Sequence, residues 1–158
     1  MRLSRPDFGH HGSMDTDAEI IDLDQLRRSV TVVLDDEPQV SFCYLFGSVA
    51  TASAQPGSVV DLAVALTVPI GLMEEARLHE RLGAAVGAET DLVVLTHAPL
   101  WLRFRIVGEG IVLYSRDEAA RIRFRERTER DYLDMKPYRD AYLAAVRARA
   151  RRGALSRG

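Results

Sequence analysis

Three features of the sequence have residue types and spacing that suit chemistry. Asp61 lies in Val59-Val60-Asp61-Leu62-Ala63-Val64-Ala65-Leu66, a run otherwise apolar on both faces. A lone ionised carboxylate there is costly unless hydrogen bonds or a counter-ion compensate it. The plain explanation is a strand end, where a loop or cap supplies the hydrogen bonds. Asp91 opens a second apolar strand, Asp91-Leu92-Val93-Val94-Leu95, and has the same plain explanation. Together, one aspartate at the start of each of two strands can converge on a cation such as Mg²⁺, which prefers carboxylate oxygen. The third feature is Gly47-Ser48. An apolar strand that runs into Gly-Ser and then a helix presents backbone N–H groups, and the serine hydroxyl adds a donor. That arrangement suits a phosphate, although Gly-Ser is also common as a mere turn.

The elements that must position these residues are readable from periodicity. Ile20, Ile21, Leu23, Leu26, Val30, Val33 and Leu34 recur at helical spacing from about Asp17 to Glu37, ahead of Pro38. Val40 to Phe46 is dense in apolar and aromatic residues and reads as a strand feeding Gly47-Ser48. A short small-residue helix or turn follows, then the breaker Gln55-Pro56-Gly57-Ser58. Val59 to Val68 reads as a strand buried on both sides, ended by Pro69. Leu72 to Val86 is a helix, Asp91 to Leu95 a short strand, Pro99 to about Val107 a helix, and Ile111 to Tyr114 a last short strand. From Asp117 the chain is helical nearly to its end, broken or bent at Pro137. This order predicts a small α/β or α+β domain, a mixed sheet flanked by helices with a C-terminal helical tail.

Composition bounds the partners. The chain has 158 residues, 47% apolar and 28% charged, enough for one ordinary core. A net charge of −2 gives no general attraction to nucleic acid or to an anionic membrane. No segment reaches the ~18 to 20 apolar residues of a membrane span. Cys43 is the only cysteine, so no internal disulfide forms, which fits a reducing, cytoplasmic compartment. It sits in an apolar run and reads as buried filler. Residues 1–17 read as a disordered or artificial lead-in, with Met14 a candidate start and His10 and His11 no site. Residues 18–115 form the expected domain, and residues 116–158 a helical extension packed on it.

The three features, in order and spacing, resemble the minimal nucleotidyltransferases. The likeness rests on Leu45-Phe46-Gly47-Ser48, Ala50, Ser58-Val59-Val60-Asp61-Leu62 and Thr90-Asp91-Leu92-Val93. It continues through Ala98-Pro99-Leu100, Arg103-Phe104-Arg105-Ile106, Gly108-Glu109-Gly110, Leu113-Tyr114 and Tyr132-Leu133-Asp134-Met135-Lys136-Pro137. The resemblance implies a nucleotidyltransferase fold whose sheet carries three carboxylates holding two Mg²⁺ ions at the α-phosphorus of ATP. It assigns phosphate contact to Gly47 and Ser48, and metal binding and catalysis to Asp61 and Asp91. It also implies a HEPN-type toxin as partner, which this chain would neutralise as an antitoxin, with AMP transferred to a partner tyrosine.

Departures fall at the site itself. Where the family has the first aspartate of Asp-x-Asp, this chain has Val59; the glycine expected after Ala50 is Ala52; and Val49 and Thr51 replace basic residues beside Gly-Ser. A missing bridging ligand should cost more than the ~10- to 100-fold lost with an outer-shell partner. Two readings therefore stand: an adenylyltransferase with reduced metal affinity, or a degenerate fold acting only as a protein-binding module. Nucleotide transfer to a small molecule such as an aminoglycoside ranks last, for want of a second domain. His79 and His97 lack partners at metal-ligand spacing. Trp101 and Phe104 read as packing. The arginines from Arg121 to Arg130 read as a salt-bridged solvated face, and the basic end from Arg147 to Arg157 as a frayed terminus.

Overall fold

A computed structural model describes residues 22–55 and 57–155, with side chains to residue 152. The lead-in, with His10 and His11, and the expected first turn at Asp17 to Ile21 lie outside the described residues. The elements are α1 (Leu23–Asp35), β1 (Val40–Phe46), α2 (Gly47–Ala50), β2 (Val60–Leu66), α3 (Leu72–Val86), β3 (Thr90–Val94), α4 (Leu100–Glu109), β4 (Ile111–Ser115) and α5 (Glu118–Leu155). Asp22 caps α1, its Oδ1 accepting from the N–H groups of Asp24 and Gln25 at 2.9 and 3.3 Å.

The strands form one mixed sheet in the order β3-β2-β1-β4. β1 is antiparallel to both β2 and β4, while β2 and β3 run parallel. The apolar run of β2 on both faces follows from that central place. One core gathers Leu26, Val30 and Leu34 of α1 with Leu78 and Leu82 of α3 against Cys43, Leu45, Leu62 and Val64. On the other face, Phe42, Tyr44, Ala63 and Ala65 pack with Ile106 of α4 and Phe124 of α5. Together these define an α/β (α+β) fold, a mixed sheet between two helical layers.

Two differences from expectation have a visible cause. β2 stops at Leu66 rather than Val68, because the chain turns away ahead of Pro69; the Thr67 N–H still reaches the Gln39 carbonyl at 2.8 Å. α5 runs unbroken through Pro137. The proline removes one donor to the turn before it, but Leu133, four residues back, is exposed, so water can serve its carbonyl. The first half of α5 is tied down. Arg121 pairs with Glu118 and donates to the Tyr44 hydroxyl at 3.0 Å, Thr128 is buried, and Tyr132 stacks on Phe104 with ring centroids 3.9 Å apart. Beyond Tyr132 every described side chain to Arg152 is exposed except half-buried Arg139.

Candidate active site

The site forms where β1 ends beside the start of β2. Phe46, the last residue of β1, lies opposite Asp61 in the antiparallel ladder, so Gly47 leaves the strand directly beside the Asp61 carboxylate. Gly47 takes φ +73°, and a Cβ there would stand 2.9 Å from Asp61 Cγ and closer still to Oδ2. Only glycine satisfies both conditions. The close approach places the carboxylate over the Gly-Ser turn that opens α2.

Asp91 enters from β3. In the parallel β2–β3 ladder Asp61 pairs in register with Asp91. Side chains at one register position of neighbouring strands share a face, with backbones ~4.8 Å apart. Both carboxylates therefore lie on one face of the sheet, on neighbouring strands. Asp61 is half-buried and Asp91 exposed. Burial pushes the Asp61 carboxyl above the usual aspartate range, and the negative charge of Asp91 adds to the rise.

The loop after α2 closes the other wall. Thr51 Oγ1 donates to the Gly47 and Ser48 carbonyls at 3.2 and 3.3 Å, and the Ser53 N–H donates to the Ser48 carbonyl at 3.0 Å. Ala52 takes φ +55°. This is a left-handed conformation that glycine holds without cost, at the position where the resemblance expects glycine. The Ser58 hydroxyl accepts from the Gln55 N–H at 2.8 Å and fixes the lead-in to β2. Val59, half-buried, follows it and brings no ligand.

The donor set is of the hard-oxygen kind that Mg²⁺ takes, often with only one or two protein carboxylates and the rest from water and phosphate. It does not fit a centre of two metals. Among the described residues no three His, Cys, Asp or Glu side chains converge.

Two residues beside the turn were not singled out in the sequence as site residues. Arg105 and Glu109 of α4 reach the turn and line a shallow pocket with Phe46, Gly47, Ala50 and Thr51. Arg105 Nε sits 3.2 Å from Glu109 Oε2, and both side chains are more than half exposed. The signal was the pair of arginines in Arg103-Phe104-Arg105, but nothing in their spacing says that α4 packs beside the end of β1.

Other candidates resolve as structure. The Cys43 thiol is fully buried, and burial pushes it up to about 12, which excludes a nucleophile. His79 Nε2 donates to the Thr90 carbonyl at 2.7 Å and joins α3 to β3. Phe104 packs as expected, whereas Trp101 is 57% exposed. Arg121, read as solvated, is instead half-buried by its bonds to Tyr44 and Glu118.

This geometry agrees with the comparisons. Residues 28–119 match the family model "Polymerase beta, Nucleotidyltransferase", and the chain belongs to that family. No curated protein matches the chain. Among solved structures it is similar to a chain of a toxin–antitoxin complex with AMP-PNP, at 25% identity and TM-score 0.68, covering 76% of this chain and 97% of that one. A chain described as a minimal nucleotidyltransferase is 32% identical at TM-score 0.51, covering 57% of this chain and 94% of that one. The complex of tri-AMPylated Shewanella oneidensis HEPN toxin with MNT antitoxin holds a chain 23% identical at TM-score 0.65, covering 79% and 98%, a likeness of fold alone. No described helix is long and apolar enough to cross a membrane.

Proposed function

We propose that this chain is a nucleotidyltransferase-like antitoxin that binds and neutralises a HEPN-type toxin by contact. The observation that carries the pairing is the likeness to a chain of a toxin–antitoxin complex across 97% of that chain's length. The contact mode is supported by the site, where Val59 leaves two carboxylates to do the work of three. Co-expression with a HEPN-type protein encoded beside it tests the proposal. Growth rescue and co-purification should both survive Asp61→Ala. Loss of rescue in a folded Asp61→Ala protein would sink the contact mode, and failure of the wild type to rescue would sink the pairing.

A second reading is favoured by the intact Gly47–Asp61 corner and the in-register Asp91. Here the chain is an adenylyltransferase that passes AMP from ATP to a tyrosine of the partner. Asp61 and Asp91 would hold one Mg²⁺, which supplies positive charge beside the phosphates, while Gly47 and Ser48 receive the phosphate and Arg105 adds a cation from α4. The sharper expectation remains weak or absent binding of Mg·ATP, and low-micromolar Mg²⁺-dependent ATP binding by calorimetry would favour this second reading.

A further inference from the structure

We infer that the exposed half of α5 is a docking arm for a second copy of this chain, seated in the groove between α3 and β3. The inference does not rest on the HEPN partnership. From Leu133 to Arg152 the helix projects for about 30 Å at the usual rise per residue. Met135, Tyr138, Tyr142 and Val146 recur at three- and four-residue steps and form one face, and they are 54, 73, 68 and 42% exposed. A stripe of this kind on a helix with no neighbour among the described residues is an interaction surface without its partner.

Charge says which surface fits it. Between Lys136 and Arg152 six basic residues stand against one acid, Asp140, whereas from Asp22 to Met135 eighteen acids stand against twelve bases. Around α3 and β3 the acids Glu74, Glu75, Glu80, Glu89 and Asp91 stand against two bases, Arg77 and Arg81, of which Arg81 is already paired with Asp36 and Glu37. There Leu72, Glu75, Ala76, His79 and Leu92 line an open groove of about 220 Å³, room for a side chain of tyrosine size. Leu72 and Met73 beside it are 82 and 68% exposed. A basic, tyrosine-bearing helix therefore meets an acidic groove with an apolar floor. The two surfaces do not meet within one chain: the arm's side chains are exposed among the described residues, and the first half of α5 packs on the sheet face opposite α1 and α3. Reciprocal exchange of arms between two copies satisfies both and closes as a twofold dimer.

Sedimentation or light scattering at low salt tests this on the full chain. The wild type should show twice the monomer mass and shift toward monomer as salt rises, since the contact is partly between exposed charges. The double substitution Tyr138→Glu/Tyr142→Glu on the arm, and Ala76→Arg in the groove, should each weaken self-association by about ten-fold or more. All three positions are exposed, so helix content and melting temperature should hold. Mixing the arm variant with the groove variant should restore pairing, because one good arm then faces one good groove. A monomeric wild type, a dimer that survives both variants, or a mixture that stays monomeric overturns the inference. A wild type that is monomeric alone, but whose arm variant loses a HEPN-type partner, assigns the arm to that partner and also overturns it.

Discussion

The two walls of the candidate site are held by different means. The strand wall is over-determined: the β1–β2 register sets Phe46 against Asp61, the left-handed Gly47 turns beside the carboxylate, and no side chain fits between them. The loop wall, from Thr51 to Val59, rests on local hydrogen bonds of Thr51, Ser53 and Ser58, and holds Ala52 where glycine is at ease. Of the four residues that depart from the family's pattern, Thr51, Ala52 and Val59 fall on the loop wall, Val49 lies in α2 before it, and none falls on the strand wall. The frame that places a carboxylate over a phosphate turn is thus separable from the groups that load it. Tertiary packing keeps the frame, and a local loop can lose the chemistry without disturbing it.

The largest expected effect breaks the strand wall. Gly47→Ala adds a Cβ against the Asp61 carboxylate in a backbone region that disfavours it, and should cost about 3 kcal/mol. For a chain of this size that is a fall of ~6 to 12 °C in melting temperature. The double variant Gly47→Ala/Asp61→Gly removes the clash but not the backbone strain. It should recover part of the loss, which a double-mutant cycle measures. Simple additivity would mean that Gly47 and Asp61 do not touch.

Rebuilding the loop wall is the next test. Val59→Asp restores Asp-x-Asp, with residues two apart directed to one face. Without metal the new charge beside Asp61 and Asp91 should cost on the order of 1 kcal/mol. Millimolar Mg²⁺ should return that loss and raise the melting temperature of the variant more than that of the wild type. A variant whose melting is indifferent to Mg²⁺ would show that position 59 does not face the two aspartates. Ala52→Gly should be milder and of opposite sign, a gain of about 1 kcal/mol from relief of the left-handed strain, less the entropy of an added glycine. Chemical denaturation of the two proteins side by side measures it, and a loss would mean that the loop holds Ala52 in an ordinary conformation.

Elements with strong periodicity were legible in the sequence: β1 and α3 fall on the residues their patterns indicate, and β3, α4 and β4 lie within two residues of theirs. Asp61 and Asp91 were legible because charge stands out in an apolar run, and the structure brings them into register. The continuity of α5 through Pro137 was not, because local sequence shows the lost donor but not the solvent that can replace it. Arg105 was missed for a related reason: its nearness to Gly47 depends on how α4 packs on the sheet, which no spacing within α4 encodes. The exposed half of α5 was expected to pack on the domain with the rest of the extension; helical periodicity reports that a face is apolar and not what covers it.

The smallest effect is a pH dependence confined to one side of the comparison. Burial and the neighbouring Asp91 raise the Asp61 carboxyl above its ordinary value of 3.8. A group whose folded pKa exceeds its unfolded one supports the fold fully below the unfolded value. That support is lost as pH rises through the folded value. Asp61 therefore makes the metal-free protein progressively less stable from just below about pH 4 upward, until its ionisation in the fold is complete. Asp61→Asn keeps the shape and removes the titration. The difference in melting temperature between Asp61→Asn and wild type should be larger at about pH 7 than at about pH 4, with the variant the more stable at neutral pH. Taking the difference cancels the other carboxylates, which titrate in both proteins. Asp91→Asn should shrink the wild-type dependence without abolishing it, because burial is the larger cause and Asp91 the smaller. If Asp91→Asn removed the dependence as fully as Asp61→Asn, repulsion across the β2–β3 pair would be the dominant force at the site. The rise at Asp61 would then come chiefly from charge repulsion rather than from burial.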